Sequence, residues 1–140
     1  MVSEHHRVAI NILQTASWLH SSDTSRLKKH GITPEQYNVL RILRGGHPNK
    51  LMLADITNRM IDKSSNATRL VEKLRQKDLV KREVCEANRR QVDISITEKG
   101  LTLLKAVDAE EQKWIDSLKN ISKVEAAELN RLLDKLKGSE

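Results

Sequence analysis

The 140-residue chain carries 25 Lys and Arg against 19 Asp and Glu, a net charge of +6, with 38% apolar and 31% charged residues. No run approaches the ~18 consecutive apolar residues of a membrane span, MVSEHHRVAI lacks the apolar core of a signal peptide, and a cytoplasmic location is expected. The single cysteine, Cys85, excludes an intramolecular disulfide and a cysteine-based zinc site, while three aromatics (Trp18, Tyr37, Trp114) and no Phe argue against the stacking platforms used on RNA or single strands.

In chain order, Val8, Ile12, Leu13, Ala16 and Leu19 recur at helical spacing and predict a first helix within residues 4–29. The polar run Ser21-Ser22-Asp23-Thr24-Ser25 leaves two readings open, an interruption or a wet helical face. Gly31 ends the element. Thr33-Pro34-Glu35-Gln36 is a helix start in which Thr33 caps, Pro34 suits the first turn and Gln36 reaches back. Tyr37, Leu40 and Leu43 mark its buried face until Gly45-Gly46-His47-Pro48 breaks it. Leu53, Ile56, Met60 and Ile61 indicate a short helix over about 53–61, and Asp62-Lys63-Ser64-Ser65 a turn. A further amphipathic helix follows, with Ala67, Leu70, Val71 and Leu74 as its apolar stripe and Ser65, Arg69, Lys73 and Gln76 opposite.

After Leu79 the period changes from 3.6 to 2. Val80 and Val84 alternate with Lys81 and Glu83, and Val92, Ile94 and Ile96 alternate with Asp93 and Ser95, which predicts a hairpin whose turn, Ala87-Asn88-Arg89-Arg90, holds two adjacent guanidinium groups. Thr97 caps a long helix over about 98–119, and Ser122-Lys123-Val124-Glu125 opens a last helix that Gly138 ends. The positive excess lies early: residues 1–50 carry 7 basic and 3 acidic side chains, residues 51–100 carry 11 and 8, and residues 101–140 carry 7 and 8.

The fold class expected from this order is mainly α with a small β-hairpin wing: a winged helix-turn-helix over about 33–97, flanked by dimerisation helices at about 4–30 and 98–137, within one domain. The flanking helices, roughly 30 Å long at ~1.5 Å per residue, carry apolar faces larger than a small winged-helix core covers, so a two-fold homodimer is expected. A polar helix face beside a cationic hairpin suits double-stranded DNA. Arg69 can fork onto guanine O6 and N7 and Asn66 onto adenine, with Ser65 and Thr68 on phosphate or a base edge; a guanidinium at a hairpin tip fits a narrow minor groove. The competing reading is a solvated face in which Arg69, Glu72 and Lys73 pair along the helix.

The segments GITPEQY (31–37), LMLADI (51–56), NATRLVEKL (66–74) and Asn88-Arg89-Arg90 followed by VDISITEKG (92–100) together resemble the multiple-antibiotic-resistance regulator (MarR) family over nearly the whole chain. The most specific of them is the wing-tip triplet with its alternating strand and Thr-x-x-Gly. The resemblance implies a homodimeric transcription regulator, most often a repressor, on a pseudo-palindromic operator. It implies Ser64, Ser65, Asn66, Thr68, Arg69 and Lys73 as DNA-facing residues of the recognition helix, and Arg90, with Arg89 and Asn88 beside it, as those of the wing. Two positions depart from the family pattern: Asn88 stands where Asp is usual, and Asp78 where a helix-ending Gly is common.

Many family members respond to small aromatic or phenolic acids, for which Trp18, His20, His30, Tyr37 and Trp114 are the candidate pocket residues; core or interface packing is the competing role for the two Trp and Tyr37. No cofactor is expected. His5-His6 beside Glu4 does not make a convincing metal site, Cys85 on the first wing strand reads as an inert strand residue, and no arrangement of catalytic groups stands out. An enzyme is therefore not expected, and a winged helix used only to bind other proteins is the remaining alternative.

Overall fold

A computed structural model describes residues 2–139. They form α1 (Glu4–Lys28), α2 (Pro34–Gly46), β1 (Leu51–Met52), α3 (Leu53–Arg59), α4 (Ala67–Gln76), β2 (Val80–Val84), β3 (Val92–Ile96), α5 (Glu98–Asp116) and α6 (Lys123–Lys137). The class is the expected one, a helical chain with a small antiparallel sheet. The chain divides into two compact units, Met1–Val107 and Asp108–Glu140.

Both capping boxes form. Thr33 Oγ1 accepts from the Gln36 amide while the Gln36 side chain accepts from the Thr33 amide, and Ser122 and Glu125 do the same for α6. Each satisfies two backbone donors that a helix start leaves without partners. The Ser21–Ser25 stretch does not break α1. Thr24 Oγ1 donates to the His20 carbonyl at 2.8 Å and Arg26 pairs with Asp23 at 2.7 Å, so the polar side chains bond along the helix rather than against it. The third helix stops at Arg59 and the fifth at Asp116, both short of expectation, because hydrogen-bonded turns replace their last residues.

The first unit has one core. Leu27 from the last turn of α1, Tyr37, Val39, Leu40 and Leu43 from α2, Ile56 from α3, Val71 and Leu74 from α4, and Leu104 and Val107 from α5 are buried with Val80, Ile94 and Ile96 of the sheet. The strand order is β1-β3-β2, with Val80 opposite Ile96, Arg82 opposite Ile94 and Val84 opposite Val92. Sequence periodicity does not reveal β1. Its two residues become a strand only through pairing with Ile94 and Asp93, some forty positions away. Lys81 and Lys50 both hold the Glu83 carboxylate, at 2.6 and 2.9 Å, and their hydrogen bonds bring its pKa down to about 2, tying the loop before β1 to the wing.

At the exit of α4, Asp78 adopts φ +60°, the left-handed conformation for which Gly is the usual choice. The turn is therefore preserved with a costlier residue. Left-handed backbone costs an L-residue ~1–2 kcal/mol, and Gly adds roughly 0.5–1 kcal/mol of unfolded-state entropy. Asp78→Gly is accordingly expected to raise stability by about 0.5–1 kcal/mol, read as a melting temperature a few degrees higher. An unchanged or lower midpoint would mean that the Asp78 side chain offsets its own strain.

In the second unit no described residue is buried. Trp114, Leu118, Ala126 and Leu133 are half-buried, while Ile121, Val124, Leu129, Leu132 and Leu136 are exposed.

Candidate nucleic-acid interface

The polar face of α4 and the hairpin tip belong to the same compact unit. Ala67, Val71 and Leu74 fix α4 to the core, which turns Thr68, Arg69 and Lys73 to solvent. Glu72 does not pair with Arg69 or Lys73. Both of its oxygens are taken by Arg75, at 2.6 and 2.9 Å, and that double hydrogen bond is what lowers the Glu72 pKa. No described residue makes an ion pair with Arg69 or Lys73, so the face presents free cations rather than a self-neutralised ladder.

Ser64, Ser65 and Asn66 precede the helix instead of lying on it. The Ser64 hydroxyl donates to Asp62 at 2.6 Å and the Ser64 amide to the same oxygen, which holds the Asp62 carboxyl below its ordinary range. Asn66 is the N-cap of α4, its Oδ1 accepting from the Arg69 amide at 3.1 Å. A two-point fork onto adenine would draw that oxygen away from the cap, so Asn66 has a structural duty that its sequence position concealed. Asn38, on α2, was not singled out by sequence at all. Its Oδ1 accepts from the Ile61 amide at 2.8 Å and pins the turn between α3 and α4, a long-range bond that no local pattern announces.

At the wing, the strand ladder is extended by Cys85 N–H to the Gln91 carbonyl, and the turn is closed by Asn88 N–H to Cys85 and Gln91 N–H to Asn88. Asn88 Oδ1 accepts from the Arg90 amide at 3.1 Å. The amide that replaces the usual carboxylate thus shapes the turn through the main chain of Arg90, a side-chain turn mimic. Arg89 and Arg90 are both exposed. Within this unit Thr97 joins wing to helix: its hydroxyl donates to the Asp78 carbonyl at 2.7 Å and accepts from Gly100 N–H at 3.0 Å.

Two grooves flank α4. One, of about 260 Å³, is bounded by α4, the wing and the β1–α3 junction (Met52, Leu53, Ala54) and reaches Thr68, Arg82 and Arg90 over an apolar floor. The other, an open groove of about 560 Å³ between the first turn of α2 and α4, is bordered by Glu35, Arg69, Lys73 and Lys77. Lys77 Nζ also donates to the Gly31 carbonyl, fastening the end of α4 to the connection between α1 and α2.

The five candidate effector residues border neither groove. Tyr37 is buried, its ring beneath the Arg26 and Arg41 guanidinium groups and its hydroxyl without a hydrogen-bond partner. His20 Nε2 lies 2.9 Å from Glu35 Oε1. Partial burial pushes the Glu35 carboxyl up, but the hydrogen bonds from His20 and the first-turn backbone outweigh it, and the net pKa is below the ordinary value. Trp18 is 58% exposed on α1. His30 is half-buried in the turn after α1, and Trp114 is half-buried in the second unit.

Residues 32–100 match the family model described as a winged helix DNA-binding domain. Among characterised relatives, the HTH-type transcriptional regulator MhqR of Bacillus subtilis is 31% identical over 103 residues, covering 74% of this chain and 70% of that protein. The HTH-type transcriptional regulator MgrA of Staphylococcus aureus is 33% identical over 109 residues, 78% of this chain and 72% of that protein. The fold is shared with S. aureus MepR in complex with DNA (TM-score 0.83, 21% identity, 93% of this chain and 96% of that one). It is also shared with the organohalide-sensing regulator RdhR-CbdbA1625 in its 2,4-dichlorophenol-bound form (TM-score 0.87, 18% identity, 99% and 82%).

Proposed function

The chain belongs to the MarR family of winged helix, DNA-binding transcription regulators, and on that premise we propose that it is a homodimeric repressor of a pseudo-palindromic operator, released by a small aromatic or phenolic effector. It is a regulator, as its relatives are, and not an enzyme. The observation that carries the reading is the free cationic face: Arg69 and Lys73 stand on α4 without internal acid partners, in one unit with the exposed Arg89 and Arg90 of the wing. Unneutralised cations on a helix of groove-fitting diameter answer a duplex that carries one charge per ~1.7 Å.

The homodimer is supported by apolar surface that the chain leaves bare. Leu13 and Trp18 on α1 are 70% and 58% exposed, and α6 buries none of its residues. A second copy would cover such faces, and two-fold symmetry would give two reading heads on one side. The effector component is supported by the dichlorophenol-bound relative and by the flat, part-exposed side chains of Trp18 and Trp114.

The test is to titrate the full chain against a genomic fragment library, with and without competitor DNA. Retained fragments are expected to share an inverted repeat whose half-sites are both protected in footprinting, and transcription from them is expected to fall when the protein is added. Aromatic acids are then screened for a joint shift in melting temperature and operator affinity. Retention without sequence preference would instead favour a protein-binding adaptor, and a single protected half-site would remove the dimer.

A further inference from the structure

Arg82 breaks the pattern of the strand that carries it. Val80, Arg82 and Val84 share one face of β2, opposite Ile96, Ile94 and Val92 of β3. On this face the period of 2 calls for an apolar residue at 82. The face turns toward α4, for Arg82 lines the α4–wing groove with Thr68, Val71 and Ile94. Glu72, with which it interacts at Coulombic range, already gives both oxygens to Arg75. No described residue makes an ion pair or hydrogen bond with the Arg82 side chain. An exposed guanidinium in register between Val80 and Val84, whose Coulombic neighbour Glu72 is hydrogen-bonded elsewhere, is a local inconsistency of the kind that marks a binding site.

We propose that this groove is the track of one DNA strand, and that Arg82 holds a phosphate of that strand. The inference rests on the DNA-binding reading above. If α4 enters a major groove and the wing tip the neighbouring minor groove, the two are separated by a single sugar-phosphate backbone, which must cross the gap between helix and hairpin. That gap is the groove of about 260 Å³, with Arg82 and Arg90 as its cations, the Thr68 hydroxyl on the helix side, and Val71, Val92 and Ile94 to meet the carbon faces of deoxyribose. A guanidinium matches phosphate geometry with two parallel donors. Because the phosphate is common to all sequences, Arg82 sets the depth at which helix and wing straddle the strand, and does not choose bases.

The experiment measures binding of the full chain to its selected operator and to an unrelated duplex of equal length, by fluorescence anisotropy from 50 to 300 mM KCl. Arg82→Ala is compared with Arg82→Met, which keeps an apolar stem in the groove, and with Arg82→Lys. Expected is a loss of roughly tenfold on both duplexes for the Ala and Met variants, a salt slope shallower by about one, and recovery of the slope with Lys. A purely structural role would lower the melting temperature and leave the slope of the folded Met variant unchanged, which would overturn the inference. So would a loss confined to the operator, since that is base reading. If Arg90→Ala weakens binding while Arg82→Met does not, the strand track fails and the DNA-binding reading stands. If the wild-type chain retains neither duplex, both fail.

Discussion

Gly100→Ala is expected to melt about 10 °C below the wild type, a loss of roughly 3 kcal/mol. In a free helix the substitution would help, since Ala exceeds Gly by ~1 kcal/mol in helix propensity. Here a Cβ would sit 2.4 Å from the Leu79 carbonyl oxygen and 2.7 Å from Ile96 Cγ1. The Ile96 side chain can rotate, but the Leu79 carbonyl is backbone and accepts from Thr97 N–H at 3.1 Å, so it cannot retreat without breaking the turn into the wing. The clash therefore outweighs the propensity gain, and the first turn of α5 must lift from the β2–β3 hairpin. Calorimetry is the direct measurement. A midpoint equal to or above that of wild type would show that α5 slides at no cost, and the Thr97-x-x-Gly100 pattern would lose its packing explanation.

Arg90→Ala is expected to reduce affinity for the operator by one to two orders of magnitude, equal to ~1.4–3 kcal/mol, the range for a charge-assisted contact removed from an interface. Arg69→Ala is expected to cost a similar ~1–3 kcal/mol and also to relax the base preference at one position in each half-site. The difference follows from position. Arg69 projects from a helix whose apolar side, Val71 and Leu74, is locked into the core, so the proposed contact with a base edge would be made from a fixed position. Arg90 stands on a turn held by Asn88 through the main chain, and its proposed contribution is electrostatic first. Selection of operator variants by each protein would separate the two effects. Binding that survives both substitutions at moderate salt would remove α4 and the wing from the interface.

What the sequence disclosed divides along physical lines. Devices closed within three or four residues were legible: the capping boxes at Thr33 and Ser122, the apolar stripe of α4 and the period change at Val80 all depend on neighbours. Devices that depend on distant partners were not. Leu51 and Met52 are a strand only because β3 lies beside them, and Asn38 holds a turn twenty-three positions downstream. The recognition face shows a third case. The exposure of Arg69 and Lys73 is legible on the helical wheel, whereas Arg82, the proposed phosphate contact, shares a strand face with Val80 and Val84 and is not marked by alternation. The cap at Asn66 shows the converse, for the same amide that suggested base reading serves the helix start.

The unbroken course of α1 turns the helix into a phase-keeping rod. Over 25 residues, about 38 Å at ~1.5 Å each, only Leu27, in its last turn, is buried in the winged-helix core. Besides Leu27, α1 is tied to the winged helix by His20 against Glu35 and by Arg26 over the Tyr37 ring, and it has no joint at Ser21–Ser25 to absorb a change. One residue added or removed between Trp18 and Leu27 would rotate the upstream apolar face by ~100° about the axis and shift it by ~1.5 Å. In the proposed dimer, that stretch is the gauge by which protein symmetry would be matched to the pitch of the double helix.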